Sequence, residues 1–434
     1  MKTILFDIHG STGHIHATLK IATLLKNAGY QVVYALPVEY WSTVEKHGFL
    51  TTHPISLITL SEIVLPNSEM DVFAKMRRSL NTIHPHLVLI DEIDSYKAIL
   101  YQILKYPTVM SQSMVDTARA KGIPPFTSYL LPSYNIFNRV LIELLWIKRM
   151  ILFWCLLFFK FKTKWTIFHR AINYVTKKYG IALFQIIEID RCSTFGIRGI
   201  PRLIISPKDF DFPRPEKTNV FRIGPLISIN REGEIDHPRY RILIEYIARL
   251  KSSDSGKVIY VSLGTVSNFD IGRCTKFFAI IAKVARWHSN DLFVLATGKY
   301  FDVSRLFPLP VNMMVFESVP QVDLLQKCDI MITHGGMNSI TECVFCGVPM
   351  LVYPLSRNWD QPGNSARVVY HQLGLRGRIE RDSAKTISQK INQLIENHFF
   401  YKNNVLKMKK KFEAKNDSTE VVKIIENLIN SYGN

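Results

Sequence analysis

The chain has 434 residues, 47% of them hydrophobic, and its 54 basic and 36 acidic residues give a net charge of +18. That length suits two domains of ordinary size with globular cores. The positive excess indicates an anionic partner. Zinc-finger, RNP and basic-zipper patterns are missing from the sequence, so a nucleotide or a membrane surface is favoured over nucleic acid.

The N-terminal half alternates between predicted strands and helices. A strand over 3–7 leads into a loop at 9–13 and a helix from about 15 to 27, which Gly29 ends. Strands over 31–35 and 87–90 follow, and the latter ends at Asp91. This order predicts an α/β fold with a doubly wound parallel sheet. The first residues read as a strand and not as a signal peptide, so we expect a cytoplasmic protein.

Residues 142–161 form an apolar segment beside a strongly basic stretch. Its uncharged run, 150–159, is too short to span a bilayer. Between residues 139 and 178 there are nine Lys or Arg and one acid, Glu143. Such a segment fits a helix at an anionic membrane surface, into which Trp146, Trp154 and Phe158 could insert. It equally fits a buried helix that lines the core or an acceptor cleft, and the composition leaves both open.

Further along, the sequence contains a predicted linker and two motifs that have the form of metal sites but are not expected to bind a metal. The D-x-D motif Asp209-Phe210-Asp211 has the form of a metal site, but nearby prolines favour a rigid loop. Cys343 and Cys346 fall inside a predicted helix without a second Cys or His pair. We expect an N-terminal domain over 1–228, a polar linker over 229–256, a C-terminal domain over 257–415 and a final helix over 416–434.

The stretch from 320 to 361 is the most informative part of the chain. Strands over 330–333 and 348–353 bracket a helix, and a polar loop follows each strand. Gly335 and Gly336 allow a close approach of backbone N–H groups, and the helix that follows turns its positive end toward an anion. Asn338 and Glu342 share a face of that helix. A phosphate cradle, a carboxylate for paired hydroxyls and a second polar loop are what a nucleotide sugar requires.

This stretch resembles the nucleotide-binding signature of the family 1 UDP-glycosyltransferases. The matching residues, in order, are Pro320, Gln321, Thr333, His334, Gly335, Gly336, Asn338, Ser339, Glu342, Gly347, Val348, Pro349, Pro354, Asp360 and Gln361. The spacing from Pro320 to His334 is similar to that of bacterial members such as the macrolide and zeaxanthin glycosyltransferases. The resemblance implies the GT-B fold, in which two Rossmann-like doubly wound domains face a cleft, with the last helix packed on the N-terminal domain.

The resemblance also implies how the donor is bound. His334, Ser339, Thr265 and the backbone amides near Gly336 would contact the diphosphate. Gln321, Gly335 and Asn338 belong to the same donor-binding set. Glu342 would accept hydrogen bonds from the ribose hydroxyls. Asp360 and Gln361 would bind the hydroxyls of the sugar. In the family, Gln at the position of Gln361 is associated with glucose. The family usually carries a Trp that stacks on the uracil, and here that position is Ser318.

The catalytic base is predicted at His14, which follows Gly13 at a strand-to-helix turn. An imidazole suits proton transfer near neutral pH, and the Gly-His turn resembles the one that bears the family's base. Asp91 matches the family's orienting aspartate, and Asp94 is its rival. No metal or other cofactor is expected, since helix amides and imidazole can meet the charge of the leaving diphosphate.

Together these features predict an inverting transfer of a hexose, with glucose favoured, from UDP to a hydroxyl of a lipophilic small molecule. A cytoplasmic protein bound peripherally to an anionic membrane surface would meet such an acceptor. Two alternatives are a membrane-associated glycolipid-forming transferase and a non-catalytic nucleotide-sugar-binding partner protein.

Overall fold

The fold is seen in a computed structural model of the chain. It describes residues 1–55, 72–133, 135–158, 172, 176–177, 179–191, 196–227, 238–253, 255–264, 270–416 and 419–432. Two parallel sheets, each covered by helices, divide these residues between an N-terminal and a C-terminal half.

The N-terminal sheet has seven described strands. They are β1 (Thr3–Asp7), β2 (Gln31–Ala35), β3 (Leu50–Thr52), β4 (Leu87–Asp91), β5 (Thr108–Gln112), β6 (Arg202–Pro207) and β7 (Val220–Gly224). Their order across the sheet is β3-β2-β1-β4-β5-β6-β7, and every pair is parallel. The strand order reverses between β1 and β4, which is where doubly wound sheets open a crevice for ligands.

The C-terminal sheet repeats this plan with six described strands. They are β8 (Val258–Ser262), β9 (Leu292–Ala296), β10 (Met313–Phe316), β11 (Ile330–Thr333), β12 (Met350–Val352) and β13 (Gly374–Arg376). Their order is β10-β9-β8-β11-β12-β13, again parallel, with the reversal between β8 and β11. Most strand residues are buried because helices cover both faces, which explains their near-continuous apolar sequences.

Helices connect the strands and cover both sheets. In the N-terminal half they are α1 (Thr12–Asn27), α2 (Trp41–Glu45), α3 (Val72–Ile83), α4 (Tyr96–Ile103), α5 (Ile136–Phe158) and α6 (Leu183–Ile186). The remainder are α7 (Pro238–Ser252), α8 (Ile271–Trp287), α9 (Gln321–Leu325), α10 (Met337–Cys346), α11 (Gln361–Tyr370), α12 (Ala384–Glu396), α13 (His398–Asn416) and α14 (Glu420–Tyr432).

The predicted linker contains a helix. Residues 228–237 lie outside the described part of the chain, but α7 occupies most of the linker's second half. Tyr240, Leu243 and Ile247 of α7 are buried in the same apolar cluster as Val258 and Tyr260 of β8. Residues 238–252 of the predicted linker therefore form a helix that the sequence analysis did not foresee, and the polar residues there lie on the solvent-facing side of this amphipathic helix.

The two halves contact each other through buried charge as well as through helices. Arg367 of α11 and Asp211, which follows β6, form an ion pair of 2.7 Å between Nη2 and Oδ1, and both side chains are buried. At the end of the chain, Val421 and Ile425 of α14 are buried in the apolar cluster that includes Ile15 and Leu19 of α1. The last helix thus packs on the N-terminal half.

Helix α5 contains most of the apolar segment found in the sequence, and its burial is divided between two faces. Ile142, Trp146 and Phe153 are buried, whereas large apolar residues on the other side are exposed. Trp146 donates from Nε1 to the backbone oxygen of Ile123 at 2.8 Å. The prediction that Trp146 enters a membrane is therefore wrong, because its side chain is buried inside the protein. The hydrogen bond to Ile123 satisfies the buried indole N–H. The side chain of Phe158 and residues 159–171 lie outside the described part.

None of the described helices is both long enough and apolar enough to cross a membrane.

Candidate active site

The site begins where β1 and β4 end. Because these strands are adjacent and parallel, His14 in the first turn of α1 and Asp91 at the end of β4 lie at the same edge of the sheet. His14 Nδ1 and Asp91 Oδ2 are 2.8 Å apart. The other oxygen of Asp91 accepts a hydrogen bond of 3.0 Å from the backbone N–H of Ile93. The imidazole is thus oriented with Nδ1 on the carboxylate, which leaves Nε2 for a ligand.

Asp94, the rival of Asp91 in the sequence analysis, has other partners. Its Oδ2 lies 3.2 Å from Lys97 Nζ and 3.4 Å from His9 Nδ1. Lys97 in turn lies 2.8 Å from Asp7 Oδ1. Asp94 therefore belongs to a separate ion network on the neighbouring turn, and it is Asp91 that pairs with His14.

The charges around His14 control its protonation. Burial disfavours the imidazolium, but attraction and a hydrogen bond from Asp91 oppose this, and Glu92 and Asp360 add to the attraction. The balance raises the pKa of His14 to about 9. Asp360, which belongs to the C-terminal half, makes the smallest of these contributions.

Glu92 is a member of the site that the sequence analysis missed. Its side chain is fully buried, and Oε1 accepts from the backbone N–H groups of Ser113 and Met114 at 3.0 and 3.2 Å. Its Oε2 is buried without a hydrogen-bond partner among the described residues. Burial, and then the nearby charge of Asp91, raise the pKa of Glu92 to about 8. Its position next to Asp91 was the only sequence signal that could have found it.

The predicted phosphate cradle, formed by His334, Gly335, Gly336 and the N-terminus of α10, lies at the end of β11. The His334 ring is held between two glycines: a Cβ at Gly264 or at Gly336 would lie 2.5 Å from ring atoms. His334 Nδ1 is buried and has no hydrogen-bond partner among the described residues. Burial lowers the pKa of His334 to about 4, so the ring is neutral and can donate one N–H to an anion.

The predicted donor-binding residues on α10 are prearranged by Gln321 at the start of α9. Gln321 Nε2 donates to Glu342 Oε2 at 2.5 Å and to Ser339 Oγ at 3.4 Å. The hydroxyl of Tyr260 donates to Gln321 Oε1 at 3.2 Å. The buried carboxylate of Glu342 is thereby oriented at the carboxyl edge of the C-terminal sheet.

Asn338 bridges the cleft. Its Nδ2 donates to the backbone oxygen of Gly13 at 2.8 Å, so the first turn of α10 is tied to the residue that precedes His14. The sequence analysis included Asn338 in the donor-binding set, and in the structure its amide connects the cradle to the turn that carries His14.

Asp360 and Gln361 lie at the start of α11, as the second polar loop predicted. Asp360 Oδ2 accepts from Asn364 Nδ2 at 2.8 Å, and burial raises the pKa of Asp360 above its ordinary value. The amide oxygen of Gln361 accepts the backbone N–H groups of Leu355 and Ser356, at 2.8 and 2.9 Å. Gln361 therefore shapes the loop with its oxygen, and only its NH₂ group remains for a sugar.

The remaining candidates are Thr265, expected at the diphosphate, and the residues near the position where the family carries its uracil-stacking Trp. Thr265 lies outside the described residues. Ser318 is exposed, and Phe316 is 8% exposed with its ring edge-on to Tyr240 and 5.3 Å from the Arg239 guanidinium. Phe316 is thus part of the core and does not replace the missing Trp as a stacking surface.

The D-x-D motif is surrounded by positive charge. Asp211 lies within 3.3 Å of guanidinium nitrogens of Arg214, Arg222 and Arg367, and Asp209 lies 3.2 Å from Lys415 Nζ. Both carboxylates are therefore neutralised by cationic side chains. Among the described residues, no group of three His, Cys, Asp or Glu side chains could hold a metal ion.

A histidine–aspartate pair facing a phosphate cradle across the cleft between two parallel-sheet domains defines the class of GT-B glycosyltransferases. Solved structures share this fold. The glycosyltransferase of kitacinnamycin is 20% identical, with each chain 99% covered and a TM-score of 0.69. CalG4, the calicheamicin glycosyltransferase, is 17% identical, with the same coverage and a TM-score of 0.65.

The chain belongs to the family described as UDP-glucoronosyl and UDP-glucosyl transferase, whose model matches residues 41–415. Membership is thus established over most of the chain, on both sides of the cleft.

Curated relatives match mainly in part. An uncharacterised UDP-glucosyltransferase of Bacillus subtilis, YdhE, is 31% identical over 40% of this chain and 42% of its own length. The human UDP-glucuronosyltransferase 2B28 is 29% identical over 46% of this chain and 34% of its own. An NDP-glycosyltransferase of Bacillus licheniformis, YjiC, is 22% identical over 88% of this chain and 86% of its own. The match to YdhE spans about two fifths of that relative.

Proposed function

We propose that the protein transfers a hexose, with glucose as the favoured sugar, from UDP to a hydroxyl of a lipophilic small molecule. One observation carries this proposal: the His14–Asp91 pair and the phosphate cradle face each other, joined by the hydrogen bond from Asn338 to Gly13. A donor held by the cradle would direct its anomeric carbon toward the base. Membership of the family supports the UDP-sugar.

The chemistry is a single displacement. His14 Nε2 accepts the proton of the acceptor hydroxyl as its oxygen attacks the anomeric carbon, and Asp91 stabilises the imidazolium that forms. The bond from that carbon to the β-phosphate oxygen breaks, and UDP departs with the electron pair. Helix α10 directs its N-terminus at the developing charge, and neutral His334 adds an N–H donor. One displacement inverts the anomeric configuration.

The favoured sugar follows from the second polar loop. Asp360 stands at the start of α11 in the C-terminal half, and its charge contributes to the raised pKa of His14, which supports a hexose site between the two. Gln361 adds an NH₂ donor from the same turn. These two residues are the ones that the family resemblance assigns to the sugar, with Gln associated with glucose.

The acceptor is proposed to be lipophilic because the pocket between the halves has apolar side chains among its polar ones. The apolar side chains include Ala17, Ile205, Leu226 and Ile227 of the N-terminal half and Met337 of α10. One of the solved neighbours, the spinosyn rhamnosyltransferase SpnG, was crystallised with a spinosyn aglycone. A non-catalytic binding role is less well supported, since such a role would not need the hydrogen bond between His14 and Asp91. No specific observation favours a glycolipid-forming role.

We also infer that the protein is cytoplasmic and associates peripherally with an anionic membrane surface, where a lipophilic acceptor would accumulate. The +18 charge and the apolar helix α5 support this proposal.

The test is incubation with a panel of UDP- and dTDP-sugars and lipophilic alcohols, with products identified by mass spectrometry. The proposal expects hexosylated alcohols, with UDP-glucose the best donor. If UDP-glucose gives no product with any alcohol while another donor does, the sugar is misassigned; if no donor gives product, the proposed function fails.

A further inference from the structure

Helix α5 carries a long exposed apolar face. Its exposed large apolar residues, each 42–81% exposed, are Ile136, Phe137, Val140, Leu141, Leu144, Ile147, Ile151 and Leu152. Monomeric proteins rarely expose so much contiguous apolar surface unless it serves an interaction. We call this set the α5 apolar face.

The spacing shows that this is one continuous face and not scattered exposure. Residues 137, 140, 144, 147 and 151 recur at intervals of three and four, which places them along one side of a helix. The buried residues Ile142, Trp146 and Phe153 recur at four and seven on the opposite side and attach the helix to the protein. The helix is therefore anchored by one apolar side and presents a second one to its surroundings.

The charges at this face indicate an anionic partner. Lys148 is exposed on the same side of the helix as the apolar residues, and Arg139 is exposed near the N-terminal end of the helix. The single acid of the helix, Glu143, is paired with Arg119. In the sequence, residues 159–178 continue from the helix with six Lys or Arg and no acid. Apolar residues bordered by cations match the boundary between lipid headgroups and acyl chains of an anionic bilayer.

A second copy of the chain fits this face less well. A symmetric contact across the α5 apolar face would bring the exposed cations Arg139 and Lys148 of both copies into one interface. The one acid of the helix, Glu143, is already paired with Arg119 and could not neutralise them. Anionic headgroups would neutralise Lys148 without this repulsion.

We propose that the α5 apolar face docks in the plane of an anionic lipid bilayer, with Arg139 and Lys148 at the headgroups. This inference rests on the proposed function, because docking would bring the cleft to a lipophilic acceptor dissolved in the same bilayer. It names the surface by which the protein would associate with the membrane.

Vesicle co-sedimentation tests the proposal on the full chain. Vesicles of phosphatidylcholine with phosphatidylglycerol should pellet the protein at low salt, and pure phosphatidylcholine or high salt should weaken binding. The variant carrying Leu144→Glu, Ile147→Glu and Ile151→Glu should bind at least about tenfold more weakly, because three charges would enter the acyl region. Ile242→Glu on α7, a residue also more than half exposed, is the matched control and should bind normally.

Two further measurements separate lipid binding from misfolding and from self-association. Transfer to a water-soluble alcohol should be equal in wild type and the triple variant, which shows that the variant is folded and tests the proposed function separately. Light scattering without lipid should give a monomer for both proteins. Equal vesicle binding by the triple variant, no binding by wild type, or a wild-type dimer that the three substitutions dissociate would each overturn the proposal.

Discussion

At the scale of single residues, the site depends on what His14 has on each side of its ring. Asp91 occupies Nδ1 at 2.8 Å, and Asp360 acts on the same ring from the other half of the molecule. Asp91 is itself fixed by the backbone of Ile93. The imidazole is therefore oriented before any substrate binds, which is what a general base requires.

The raised pKa of His14 predicts a pH dependence. The base acts in its neutral form, so kcat/KM should increase as pH rises through the pKa of His14, which is about 9 in the free protein and well above the ordinary 6.5. Asp91→Asn removes the attraction that raises this pKa, so the rise should move to lower pH. The maximal rate should fall on the order of 10²–10³, since the ring loses its orientation.

A kcat/KM profile from pH 6 to 10 for wild type and Asp91→Asn measures both effects, with UDP affinity as the control for donor binding. An unchanged rise in the Asp91→Asn profile would assign the titration to a group other than His14.

Glu92 allows a separate test of charge. Glu92→Gln keeps an oxygen that can accept from Ser113 and Met114 but removes the negative charge near His14. The rise of kcat/KM should again shift to lower pH, by less than in Asp91→Asn, because the hydrogen bond to His14 remains. Ser113→Ala, which removes one donor to the same carboxylate and keeps its charge, should leave the rise in place. A shift in Ser113→Ala equal to that in Glu92→Gln would assign the effect to loop geometry.

At the scale of elements, the sequence predicted best what depends on neighbours along the chain. The observed bounds of β1, β2 and β11 agree with the predicted strands 3–7, 31–35 and 330–333, because each is an apolar run ended by a polar or glycine-rich turn. The motif residues therefore lie at strand ends as expected. Helix α7 was missed because the three residues that it buries are spread through a polar segment.

Contacts between distant parts of the chain could not be predicted from local pattern. Asn338 and Gly13 are separated by 325 positions, and nothing in either segment indicates the hydrogen bond between them. The same holds for the arginines around Asp211 and for the internal partner of Trp146. A local sequence pattern shows which residues lie at the end of a strand. Only the packing of the whole chain determines which of these residues contact each other.

The hydrogen bond between α10 and the His14 turn predicts that Asn338 couples the donor site to the base. Asn338→Ala should reduce kcat by about tenfold, since a misplaced base is costly in rate. UDP affinity should stay within a few-fold, because the cradle and Glu342 remain. Single-turnover kinetics and calorimetry separate the two quantities. A loss confined to UDP affinity would place Asn338 at the diphosphate.

Ser318, just after β10, predicts weak recognition of the uracil ring of UDP. Ser318 offers no aromatic face, and the buried Phe316 does not supply one. Ser318→Trp should tighten UDP binding by about 1–3 kcal/mol, the usual contribution of base stacking. Calorimetry on this variant, with Ser318→Ala as a control expected to bind like wild type, gives the answer. Unchanged affinity in Ser318→Trp would mean that another side chain already stacks on the uracil ring.

At the scale of the whole molecule, the proposed function has the leaving diphosphate stabilised by the N-terminus of α10 and the neutral imidazole of His334. The carboxylates of the D-x-D motif are neutralised by Arg and Lys between the two halves. We therefore predict that a chelator leaves the rate of transfer unchanged. A rate lost with chelator and restored by Mn²⁺ or Mg²⁺ would show that a cation takes part.

The most direct test of the central claim is the anomeric configuration of the product, measured by NMR for wild type and His14→Ala. With an α-linked UDP-hexose as donor, the account predicts a β-linked glycoside from wild type. His14→Ala should lose on the order of 10²–10⁴ in rate and still bind UDP nearly as wild type does. An α-linked product, or a His14→Ala variant that keeps more than half of the rate, would contradict single displacement by a hydroxyl activated at His14.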